Sequence, residues 1–121
     1  MEGPSTSIDT WPSYHKGSHT VIVASDATKR AQGLQGERIF PLHSILLFPG
    51  TAPGTYFHTN NCHMPIDIIA LNTLNIVLRV WTALPGVAKI GPMPPGTAKV
   101  AEVPAGWCSK RNIRMGSVMP V

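Results

Sequence analysis

The chain has 121 residues, enough for one domain with a real core and too few for two. Hydrophobic residues make up 43% and charged residues 13%, and the net charge of +4 lacks the broad basic stripe with stacking aromatics that nucleic-acid binding requires. Twelve prolines and eleven glycines imply many turns and short elements, no apolar run is long enough for a membrane span, and the first residues show neither a basic leader nor an apolar h-region, so no signal peptide is expected.

Residues 1–18 are rich in Ser, Thr, Pro and Gly without periodicity. They read as an extended N-terminal arm, with Trp11 and Tyr14 as its contact residues, ahead of a single domain over 19–121. "HTVIVAS" from His19 is a short β-branched strand. "SDATKRAQGLQG" predicts a short helix: Ser25 or Asp26 can cap it, Ala27, Ala31 and Leu34 form one modest apolar face, and Gly33 or Gly36 can end it. Strand-like pieces then follow between Pro and Gly: "SILLFPG", "GTYFHTNN", "PIDIIALN", "NIVLRVWTAL", "TAKVAEVPAG" and "NIRMGSVM". "PIDIIAL" is apolar on both parities except at Asp67, the pattern of a strand covered on both faces. "ALNTLNIV" predicts a hairpin with Asn75 at positive φ, and "LPGVAKIGPMPPGT" a long surface loop. The expected fold is mainly β, a small antiparallel β-sandwich or partly closed barrel with one short α-helix near the N-terminus.

Histidine and cysteine cluster in "FHTNNCH", which raises zinc or thiol chemistry. If this stretch is extended, His58 and Cys62 stand on the order of 13 Å apart and His63 points to the other face. No second His or Cys pair recurs at ligand spacing, so no metal and no cofactor is expected. A Cys62 nucleophile would need a base within hydrogen-bond reach, and adjacent strand residues diverge. Cys62 and Cys108 read as free thiols, and Lys110, Arg111 and Arg114 as a solvated charged end. Asp67 and Glu102 are the acids set inside apolar strands. A buried carboxylate must be hydrogen-bonded or paired, so each has either a structural role, bonding backbone amides, Arg79 or Lys99, or an acid–base role in which one carboxyl titrates high. Phosphate loops, dinucleotide fingerprints and the G-x-S-x-G elbow are absent.

As an ordered set, "VIVASDATKRAQGLQGE", "ILLFPG", "FHTNNCHMPIDIIALNTLNIV" and "AEVPAGW" followed by "IRMGSVM" resemble domain-of-unknown-function family 192. Its members show G-L-M-G-R at a helix end, then G-M-L-F, F-W-M-K-N-T-x-x-P-L-D and E-L-P-A-G-W. The likeness covers roughly residues 19–119. Its matching positions are Gly33, Leu34, Gly36, Phe57, Asn61, Pro65, Asp67, Glu102, Pro104, Ala105, Gly106, Trp107 and Gly116. The resemblance implies a compact β domain and no known reaction. The family's Trp, Met, Lys and Thr are replaced by His58, Thr59, Asn60 and Cys62, and its Arg by Glu37.

These departures, the polar arm and the missing export signal lead to one expectation: a non-catalytic subunit of a larger assembly, intracellular or in a virion. Contacts would be with protein partners or with itself, without membrane or nucleic acid. The alternative is a small-ligand-binding protein or hydrolase centred on Asp67 and Glu102, with Asn61 and Trp107 as further binding residues.

Overall fold

The computed structural model describes residues 7–121. The first six residues of the expected arm lie outside them. Six strands form one mixed sheet: β1 (Ser13–Lys16), β2 (His19–Val23), β3 (Ser44–Pro49), β4 (Ile66–Leu71), β5 (Val77–Ala83) and β6 (Lys99–Pro104), in spatial order β1-β2-β3-β6-β4-β5. The fold is mainly β, as the strand pieces predict, and the sheet does not close into a barrel. All neighbours pair antiparallel except β2 and β3, which run parallel. A parallel pair needs a long crossover, and residues 24–43, carrying helix α1 (Ala27–Gln32), provide it.

The central strands are covered on both faces. All six residues of β4 are buried, and alternate residues feed two separate cores. Ile22, Leu46, Phe48, Ile66, Ile68 and Val100 belong to the first, whereas Val21, Ile45, Ile69, Leu71, Ala101 and Val103 belong to the second. The period-2 geometry of a strand makes this division, and burying each such aliphatic side chain contributes about 1.5–3 kcal/mol. The second face is closed by helix α2 (Trp107–Lys110) and the C-terminal segment, with Trp107, Cys108, Met119 and Val121 packed onto it.

The helix start is legible in the sequence and the expected apolar face is not realised. Asp26 caps α1 by accepting from the Lys29 backbone N–H at 2.8 Å, and Gly33, at φ 51°, ends it. Yet no residue inside α1 is buried; Leu34, just beyond it, packs into the first core instead. The helix is too short for an i, i+4, i+7 stripe, so a single loop residue anchors it. The β4–β5 hairpin forms as expected, with Asn75 at φ 63° and Asn72 Oδ1 accepting from the Leu74 and Ile76 amides. "GTYFHTNN" and "NIRMGSVM" are not strands, and each keeps one isolated bridge, Phe57 to Ile90 and Val118 to Ile76.

Part of the segment expected as an arm packs on the body. Ile8 and Trp11 are buried in the first core, the Ile8 N–H donates to the Glu37 carboxylate, and Ser13–Lys16 pairs with β2 across a turn at Gly17. No helix among the described residues is long and apolar enough to cross a membrane.

Candidate functional site

On the first face the core is incomplete. A cavity of about 480 Å³ opens between the sheet, the end of α1 and the segment 50–62. This size lies within the range of about 300–1,000 Å³ typical of small-molecule sites. Its floor is Glu102, on central strand β6, flanked across the sheet by Leu46 on β3 and Ile68 on β4. Phe48, Phe57 and Leu34 supply apolar wall, Phe48 and Phe57 meeting edge to face at 5.2 Å between centroids. Arg30, Gln35 and His58 stand at the margin.

The wall formed by residues 55–62 is held by hydrogen bonds rather than by a strand ladder. Phe57 and Ile90 exchange backbone bonds at 2.8–2.9 Å. Thr59, fully buried, donates its hydroxyl to the Leu84 carbonyl at 2.7 Å and accepts from the Val87 N–H at 2.9 Å. The Thr59 carbonyl accepts from Gly86 and Cys62. Asn61 takes φ 61° and bridges to the loop after α1: its carbonyl accepts from the Gly36 N–H and its side-chain amide donates to Gln35 Oε1 at 3.2 Å. This staple turns Cys62 inward, where it is 9% exposed and lines the cavity.

Glu102 is 3% exposed, and among the described residues no donor reaches its carboxyl. Burial without compensation favours the neutral acid and pushes its pKa up to about 8. Burial, and then the nearby Glu102 charge, push the Cys62 thiol up to about 11, which makes it a poor nucleophile near neutral pH.

The hydrolase alternative needs Asp67 and Glu102 to converge, and they do not. Asp67 sits opposite Val103 in the β4–β6 register, and Ile68 sits opposite Glu102, so the two carboxyls point to opposite faces. Asp67 is 2% exposed and satisfied: it accepts from the Thr82 hydroxyl at 2.6 Å and the Cys108 backbone N–H at 3.2 Å, tying β5 and α2 to β4. Neither Arg79 nor Lys99 pairs with either acid. Arg79 stacks on Trp81, and Lys99 Nζ donates to Asn75 Oδ1. Trp107 is also on the far face, under Arg111 at 4.3 Å and beside His19. It lines a second, smaller cavity of about 300 Å³. Asn61 shapes the wall of the first cavity and is not among its lining residues.

His58 and Cys62 both line the cavity, although an extended chain would hold them on the order of 13 Å apart. The chain is not extended there, because a turn at Asn60–Asn61 is closed by the Cys62 N–H donating to the Thr59 carbonyl. His63 is exposed and does not contribute. Of the positions that carry the family likeness, Gly33, Leu34, Phe57 and Glu102 meet at the cavity. Among the described residues no group of three or more His, Cys, Asp or Glu could hold a metal ion. The two cysteines are free and lie on opposite faces of the sheet.

The family model of DUF192, an uncharacterized ACR family, matches residues 12–121. A crystal structure of a Sinorhizobium meliloti 1021 protein, provisionally described as a transcription regulator, has a TM-score of 0.73 and 26% identity, covering 81% of this chain and 78% of that one. A protein of unknown function from Novosphingobium aromaticivorans DSM 12444 has a TM-score of 0.69 at 20% identity, covering 95% and 96%, a likeness of fold alone. No curated protein matches the chain.

Proposed function

The chain belongs to the uncharacterised DUF192 family, and we propose from its own geometry that it is a non-catalytic small-ligand-binding domain with its site in the Glu102 cavity. One observation carries this reading. A carboxyl 3% exposed, with no partner among the described residues, faces an open cavity of about 480 Å³. An unpartnered buried carboxyl is costly, and a ligand that satisfies it recovers that cost. Acid–base hydrolysis needs a second carboxyl, and Asp67 is on the other side of the sheet with its oxygens already bonded. The test is a fragment screen read by backbone NMR. Binders should shift Phe48, Phe57 and Cys62, and Ala31→Trp at the cavity lining should abolish the shifts. A screen without binders, or shifts that survive Ala31→Trp unchanged, sinks the reading.

Assembly through the N-terminal region is a second reading, favoured by one observation. β1 is an outer strand of the sheet, all four of its residues are exposed, and such an edge can accept a further strand. Sedimentation of the full chain and of a Tyr14→Pro variant tests it. A concentration-dependent dimer lost in the variant supports it, and a monomer in both removes it.

A further inference from the structure

We propose that the ligand of this cavity is an amine or amidine with an apolar body, its N–H donors bonded to Glu102 on the sheet floor and its body between Phe48, Phe57 and Leu34. The inference rests on the small-ligand reading and adds the chemical class. Its basis is an imbalance of hydrogen-bonding groups inside the cavity. The backbone N–H groups of Gly33, Gln35, Thr51, Thr55, Phe57 and Cys62 are all spent on the carbonyls of Lys29, Gln32, Ala98, Ala52, Ile90 and Thr59. The Thr51 and Thr55 hydroxyls donate to the Phe48 and Ala52 carbonyls. Those donors are spent, while among the described residues the Glu102 carboxyl has no partner; Arg30, Tyr56 and His58 are lining side chains that keep a donor. An anion would find few backbone donors at the floor, whereas a head carrying several N–H groups can donate to both oxygens of the ionised carboxyl.

Charge in the lining is mixed, because Arg30 is a cation that does not pair with Glu102. The charged or titratable groups lining the cavity besides Glu102 are Arg30 from α1 and Tyr56, His58 and Cys62 from the opposing segment. None forms an ion pair with Glu102; the one ion pair among the described residues is Lys29–Asp26, outside the cavity. His58 Nδ1 is occupied as acceptor for the Asn60 N–H. Among the described residues no cation lies within ion-pair distance of Glu102, so a ligand cation would be its first direct counter-charge, at a carboxyl only 3% exposed.

The empty carboxyl is held neutral by burial. Pairing with an ammonium or amidinium would ionise it and send its proton to solvent. The measurement is calorimetry of the full chain at pH 7 with benzylamine, benzamidine, benzyl alcohol and benzoate, in buffers of different ionisation enthalpy. The amine and amidine should bind at least about tenfold tighter than the alcohol and acid, releasing about one proton each. Glu102→Gln should lose both the preference and the proton release. Benzyl alcohol binding as tightly as benzylamine, or Glu102→Gln binding the amine unchanged, overturns the amine class and leaves the cavity as a ligand site. If none of the four probes binds and the fragment screen is also empty, both readings fall together.

Discussion

Two carboxyls sit at almost the same height on opposite faces of one sheet, and their surroundings differ completely. Asp67 meets a hydroxyl and a backbone N–H, and α2 and the C-terminal segment close over it. Glu102 meets no donor among the described residues, and the elements above it leave a cavity. The sheet imposes the same burial on both, so the difference lies in what covers them. A satisfied carboxylate serves as a fastener, whereas an unsatisfied one is a cost that folding alone does not recover.

The sharpest way to break this comparison is pH. Glu102 has a folded-state pKa of about 8 against 4.5 for the free group, so the folded chain holds a proton that the unfolded chain releases. Its contribution is fully present below about pH 4.5 and is lost as pH rises through about 8, at roughly 1.4 kcal/mol per unit between those limits. Glu102→Gln should remove that slope and gain up to about 4 kcal/mol at pH 9. Urea denaturation from pH 4 to 9 checks it, and parallel curves for the two proteins would refute it.

The opposite sign is expected across the sheet. Asp67→Ala strands the Thr82 hydroxyl and the Cys108 N–H and should cost about 3 kcal/mol, read as a lower urea midpoint at pH 7. Thr59→Val keeps the shape of the cavity wall and removes two buried bonds, to Leu84 and Val87. It should cost about 2 kcal/mol and speed amide exchange over residues 84–90. The smallest effect is at the thiols. Cys62 opens on the cavity at a pKa of about 11, and Cys108 is closed in at about 12, pushed up by burial and then by the Asp67 charge. Iodoacetamide at pH 8 should label Cys62 about tenfold faster, and equal rates would mean that the two faces are equally open.

Much of the fold is legible in the residues, and the site is legible only in part. Five strands, the Asp26 cap and the Asn75 turn follow from local patterns. β1 is hidden in a polar sequence because an edge strand needs no apolar face, and only Lys16-Gly17-Ser18 hints at its turn. Glu102 is recognisable as a buried acid in "VAEVP". Its partner in the expected pair is not, because opposite parity in register is a property of the β4–β6 pairing and not of either strand. His58 and Cys62 are weighed and set aside for a related reason: treating "FHTNNC" as a strand separates residues that a turn brings to one wall.

By itself the sequence determined that this chain makes short, doubly covered strands and buries two acids, because side-chain alternation and the cost of desolvating a carboxylate act locally. The tertiary structure alone decided which acid is satisfied. The hydroxyl of Thr82 and the N–H of Cys108 arrive at Asp67 from 15 and 41 residues away, whereas no donor among the described residues arrives at Glu102. Hydrogen bonds act over about 3 Å, so only the path of the distant chain settles where they form.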